Sequence, residues 1–250
     1  MGIFDFLKSK HKAGTSEPPK FADKTVARHA DNIAKRAQNY DRQEAIDVLS
    51  KIGSGEAAAV LLKRFTFVIE PSITDQEERE TAFRGIVLAG KDALPAIREF
   101  CLRAEGLSFP LRMMREILSD DQAFVGEVLT LLGRWDTEYD RNPDPKIQLI
   151  VALEEIRDPR VREGVERFLD DVHEPTRFHA VTTLLALGDP ASAGALARAL
   201  VREEAQRTIN RIAEGLAARA WPIPEEERPK LAEKLPRGYV IDASGVVVTE

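Results

Sequence analysis

One cysteine in 250 residues, Cys101, excludes an internal disulfide framework and suits a reducing cytoplasm. Beside Phe100 and Leu102 it reads as a small core residue. Aromatic residues are also scarce, with two Trp and three Tyr, which argues against a base-stacking platform for nucleic acid. The four histidines, His11, His29, His173 and His179, lack metal-ligand spacing, since the nearest pair lies six apart and not at i, i+4 on one helical face. A glycine-rich phosphate cradle and a nucleophile elbow are both missing from the sequence. No apolar run approaches the roughly 20 residues of a membrane span. The first residues show no cleavable secretion signal, so the chain is expected in the cytoplasm.

What the chain does contain is self-similarity. Arg42, Ala45, Leu49, Ile52, Gly53, Leu61 and Phe65 fall without a gap on Arg177, Ala180, Leu184, Leu187, Gly188, Leu196 and Leu200. In each unit the apolar residues at i, i+4 and i+7 make one buried helical face. A glycine then ends the helix and a second apolar run follows at once, which predicts two antiparallel helices joined by a tight turn. Gly188, Asp189 and Pro190 supply the stop, the cap and the first-turn proline of the second unit. At an offset of 31, Leu153, Ile156, Asp158, Pro159, Val165 and Leu169 match Leu184, Leu187, Asp189, Pro190, Leu196 and Leu200. A looser copy runs through Ala82, Ile86, Ala89, Gly90, Ile97 and Phe100, and residues 111–133 keep the two-helix rhythm with little identity.

These units resemble HEAT repeats, close to the bacterial phycobilin-lyase-like variety, over roughly residues 41 to 220. The resemblance implies an all-α fold: an α-solenoid of stacked antiparallel helix pairs, with one surface lined by the second helix of each pair. The physics agrees, because one pair cannot bury its own apolar face and needs neighbours. The expected organisation is a basic N-terminal segment and linker over 1–20, a HEAT-like solenoid over 21–236, and a β-hairpin or extended cap over 237–250. In that last segment Tyr239 to Ile241 and Val246 to Val248 flank a turn at Asp242 to Gly245. They are read as a terminal cap, or as an edge strand for a partner.

Charge is uneven. Residues 1–40 hold eight Lys/Arg and four Asp/Glu, leaving the rest at net −10. At about 100° per residue, Ile3, Phe4, Phe6 and Leu7 share one helical arc, with Lys8, Lys10 and Lys12 close behind. Apolar groups beside lysines fit an anionic membrane surface. The same segment fits docking on this chain or on a partner protein, or an ordinary loose terminus. Gly2 follows Met1, but Phe6 stands where N-myristoylation expects a small hydroxyl residue.

Within the array, Asp136, Glu138, Asp140, Asn142 and Asp144 alternate as calcium ligands do. Arg141 replaces the turn glycine, however, and no closing glutamate follows. The loop instead offers Arg134, Trp135 and Tyr139 as an interface anchor. Arg162, Arg198 and Arg202, on second helices, are candidates to grip an acidic partner peptide unless neighbouring glutamates hold them.

The sequence therefore reads as a non-enzymatic scaffold or adaptor for a protein partner. It carries no catalytic residues, no cofactor and no metal, and is peripheral at the membrane if residues 1–12 engage lipid. The resemblance supplies two alternatives, a bilin or tetrapyrrole lyase-like protein and a HEAT-like DNA glycosylase. The acidic solenoid argues against nucleic acid.

Overall fold

A computed structural model describes residues 21–250. The docking segment with Ile3, Phe4, Phe6, Leu7, Lys8, Lys10 and Lys12 lies outside the described residues. Thirteen α-helices are present among the described residues. After α1 (Lys24–His29) come six pairs: α2 (Asn39–Leu49) with α3 (Gly55–Leu61), α4 (Ser72–Leu88) with α5 (Leu94–Cys101), and α6 (Ser108–Leu118) with α7 (Asp121–Leu132). The remaining three are α8 (Asp144–Val151) with α9 (Pro159–Val165), α10 (Glu174–Leu187) with α11 (Ala193–Arg202), and α12 (Gln206–Arg219) with α13 (Arg228–Lys234).

Local chemistry sets the turns. Gly53, Gly90 and Gly188 carry φ of +66°, +59° and +77°, the left-handed conformation that a chain reversing after a helix requires and that glycine adopts without a Cβ clash. Ser54 caps α3 through the Ala57 amide. Asp158 caps α9, and Asp189 accepts from the Ala191 amide at 2.9 Å ahead of α11.

The apolar faces meet in one continuous core. First helices stack on first helices, α2 on α4 on α6, then α8 on α10 on α12. Second helices form the other layer, α3 on α5 and α7 on α9. The aligned residues Ala45, Leu49, Leu61, Leu153, Val165, Ala180, Leu184, Leu196 and Leu200 are all at 0% exposure. Each buried Leu or Val contributes about 1.5–3 kcal/mol of transfer free energy. Gly85 permits the close approach of α4 to α2, where a Cβ would lie 2.5 Å from the Ser50 Cα.

Both ends of the array are closed. At the start, Asp23 caps α1 and Val26 turns into the core, leaving Lys24, Thr25, Ala27 and Arg28 outward. At the other end, strands β1 (Tyr239–Ile241) and β2 (Val247–Thr249) pair antiparallel. Val247 is fully buried, β2 packs on α12 and β1 on α13. Ile223 donates to the Gly245 carbonyl at 2.8 Å. The hairpin thus covers the last helix pair. The fold is a HEAT-like all-α solenoid with a C-terminal hairpin. Among the described residues no helix is long and apolar enough to cross a membrane.

Candidate protein-binding edge

The links between pairs all emerge on one edge. Six of the nine exposed large apolar side chains among the described residues lie at that edge: Tyr40 at the start of α2, Val68 and Ile73 around the α4 entry, Leu102 after α5, Tyr139 before α8 and Val172 before α10. Scattered exposed apolar residues are ordinary; these six recur at successive links along the array.

The link from α7 to α8 is the most elaborate. Asp136 Oδ1 accepts from the Glu138 amide at 3.0 Å, and Asn142 Oδ1 accepts from the Asp144 amide at 3.2 Å. These are local turns that short polar side chains stabilise. Asn142 Nδ2 donates to the Glu105 carbonyl, and Val172 N–H donates to the Thr137 carbonyl at 3.0 Å. His173 Nε2 lies 3.1 Å from the Asp140 amide nitrogen and 2.9 Å from the Asp140 carbonyl oxygen, accepting from the one or donating to the other according to its tautomer. Beneath the loop the fully buried Lys146 ammonium meets Asp171 Oδ2 at 2.6 Å and Asp140 Oδ2 at 3.4 Å, and donates to the Asp136 carbonyl at 3.1 Å.

The alternating acids therefore serve turns and a buried lysine. No group of His, Cys, Asp and Glu among the described residues is placed to hold a metal ion. Trp135 is half-buried against the core, and its carbonyl accepts from Arg167. Tyr139 is 77% exposed, with its ring centroid 5.3 Å from that of His173. A hollow of about 340 Å³ opens beside it, lined by Leu102, Arg134, Trp135, Asp136 and Asp140.

The edge is held together by charge. Arg177, the repeat partner of Lys146 at the 31-residue offset, makes a bidentate pair with Glu203 at 2.7 and 2.8 Å. It also donates to the Asp171 carbonyl at 2.8 Å. Burial alone would raise the Glu203 carboxyl, but the Arg177 guanidinium and the amides of Ala205 and Glu204 hold it below the usual range. Glu174 accepts from Arg207 at 2.7 Å and from Thr208 Oγ1 at 2.6 Å, and the Arg207 bond leads in holding its carboxyl low.

The sequence had singled out neither Lys146, Asp171 nor Glu203, and His173 only as a histidine without metal-ligand spacing. The offset of 31 that aligns the repeats would have placed Lys146 on Arg177, but their acidic partners sit in links that do not align.

The arginine candidates on the second helices are held by carboxylates. Arg162 is tied to Asp189 at 2.9 Å and Glu166 at 3.6 Å, Arg198 to Glu227 at 3.1 Å, and Arg202 to Asp170. Arg134 is exposed and makes no ion pair among the described residues. Cys101 is buried, which pushes its thiol up to about 12. A buried thiol of this kind behaves as the small core residue its neighbours suggested.

No curated protein matches the chain. A family model described as HEAT repeats matches residues 128–217, from the end of α7 to α12. The match supports a HEAT-repeat family and is silent on the phycobilin-lyase-like variety.

Proposed function

We propose that this protein is a non-catalytic scaffold that binds a partner protein along the link edge, with the loop at 134–140 as its anchor. The supporting observation is Tyr139, an exposed aromatic on a loop already bolted down by Lys146, His173 and Asn142. A pre-ordered loop loses little entropy on binding, and exposed aromatics dominate binding energy at protein interfaces. Leu102 and Val172 extend the apolar contact to either side, while Arg134 and Trp135 line the adjoining hollow. Arg162, Arg198 and Arg202 reach a partner only by exchanging the carboxylates they now hold. Residues 21–250 carry 32 Lys/Arg against 40 Asp/Glu, a balance that suits a protein partner and not a phosphate backbone.

The test is affinity capture from the source cell with the full chain and its Tyr139→Ala variant. The scaffold reading expects a stoichiometric protein whose capture drops at least tenfold in the variant, with folding stability unchanged within about 0.5 kcal/mol. Equal capture by both chains would move the interface away from this edge.

A further inference from the structure

The second-helix layer contains grooves of different character. Between α7 and α9 the lining carries Arg160, Glu163 and Arg167. Beside α11 it carries Asp170, Asp171, Arg177, Arg202 and Glu203. Between α3 and α5 the lining is mainly apolar, with Thr66, Arg103 and Glu105 toward its far end. Ala59, Leu62 and Phe65 face Ala96, Phe100 and Ala104 across two adjoining hollows of about 320 and 350 Å³ that share Phe100 and Ala104. Phe109, its ring centroid 4.9 Å from that of Phe65, closes the far end. Of the rim charges, Arg103 is engaged with Glu99 and Lys63 with the Ala30 carbonyl at 3.5 Å, while Glu105 adds a carboxylate at the far end. The groove therefore suits an apolar segment and not an acidic one.

The chain enters beside this groove. Phe21 packs on the core, and the amides of Ala22 and Asp23 donate to the Glu56 carboxylate at 3.1 and 3.2 Å. Glu56 lies one helical turn before Ala59. Residues 1–20 continue from that point, with four lysines against two acids, toward a body of net negative charge. Residues 8–20 alone reach about 45 Å when extended. The groove wall formed by α3 and the 3-10 turn Leu62–Thr66 is about 20 Å long. A ligand tethered on so short a connection has an effective concentration of order millimolar. Because α1 already closes the array with a polar outer face, the apolar residues at 3–7 are not needed as an end cap.

We propose that Ile3, Phe4, Phe6 and Leu7 of the chain's own N-terminal segment occupy the groove between α3 and α5 as an intramolecular latch. This inference stands apart from the scaffold reading, since it concerns another face of the array.

Two double-cysteine variants of the full chain test it. Phe4→Cys with Ala104→Cys places the second thiol at the far end of the groove. Phe4→Cys with Lys51→Cys places it on the exposed turn next to the chain entry, outside the groove. Buried Cys101 stays unreactive in both. Under mild oxidant the latch expects the Ala104 pair to close at least tenfold faster than the Lys51 pair, within monomers and independently of protein concentration. Equal rates, or a faster Lys51 pair, overturn it. Disulfide-linked dimers in the Ala104 variant overturn it in favour of a second copy as occupant. Phosphatidylglycerol vesicles added to the Ala104 variant should slow closure if they compete for the segment. Binding of the full chain to vesicles with no groove-directed closure in their absence overturns the latch in favour of a membrane role.

Discussion

In the first two helix pairs, Arg42 and Arg64 converge on a single carboxylate. Glu78 on α4 takes Arg42 Nε at 2.9 Å and Arg64 Nε at 2.5 Å, and all three side chains are at most 1% exposed. Asp75 completes the knot through Arg64 at 2.8 Å and the Ile69 amide at 2.9 Å. In the fourth to sixth pairs the charges are strung along the link edge instead. Lys146 meets Asp171, Arg177 meets Glu203, and Arg207 meets Glu174, with exposure rising to 57% at Arg207. The knot locks one interface with charges that have nowhere else to go. The string repeats, couples each pair to the next, and fixes the edge on which Tyr139 is displayed.

Glu78→Gln should have the largest effect, because it leaves two buried guanidiniums facing one neutral amide. Breaking a buried pair by removing one partner costs about 3–5 kcal/mol. In a stack whose stability is a sum of neighbour contacts, the loss should concentrate at the α2–α4 interface. Urea unfolding should show the loss, and hydrogen exchange should quicken in α2 and α4 while α10 and α12 keep their protection. Uniform loosening along the whole array would erase the distinction between knot and string.

Lys146→Met is the matching break in the string. It strands the Asp171 carboxylate at 0% side-chain exposure, although Asp171 Oδ1 keeps the His173 amide at 2.9 Å. A loss of about 3 kcal/mol follows, slightly below that of the knot. Exchange should rise in the loop between Trp135 and Asn142, and in α8 and α10, with α2 and α4 untouched. If the loop stays as protected as before, Lys146 is not what holds Tyr139 in place.

The contrast also explains what could be read from the sequence. Apolar spacing and turn glycines carry the fold, so Leu49, Gly53, Leu184 and Gly188 announced their helix pairs, and Tyr239 to Ile241 announced the first strand. The charge systems were hidden for two reasons. In the string the cations keep the repeat spacing, but Asp171 and Glu203 stand in links whose lengths vary. In the knot, Arg64 follows α3 and is fully buried, because its acidic partners come from α4, a different pair. Trp135 and Tyr139 were named together as an anchor, yet Trp135 lies against the core while Tyr139 stands out. A distinction of that kind depends on where the loop is pinned, by His173 from 33 residues away.

The smallest effect belongs to Glu203→Gln, and it separates by pH. The Glu203 carboxyl titrates below its ordinary value of 4.5 in the folded chain. A carboxyl lowered in this way contributes stability that is complete above its unfolded value and is lost as pH falls through the folded one. Near pH 7 the variant should be about 1.5 kcal/mol less stable than the parent, the scale of hydrogen bonds to a charged group, since a neutral amide still accepts from Arg177. As pH falls through 4.5 the unfolded parent takes up this proton before the folded one does, and the gap should narrow steadily toward pH 3. Asp75, lowered mainly by Arg64 and the Ile69 amide against the effect of burial, stays in both chains, so the knot's own acid sensitivity cancels from the difference. Urea midpoints of parent and variant at pH 7, 4.5 and 3 make the measurement. A gap that stays constant down to pH 3 would mean that the Arg177 pair holds the edge by shape and hydrogen bonding alone, without the charge that distinguishes the string.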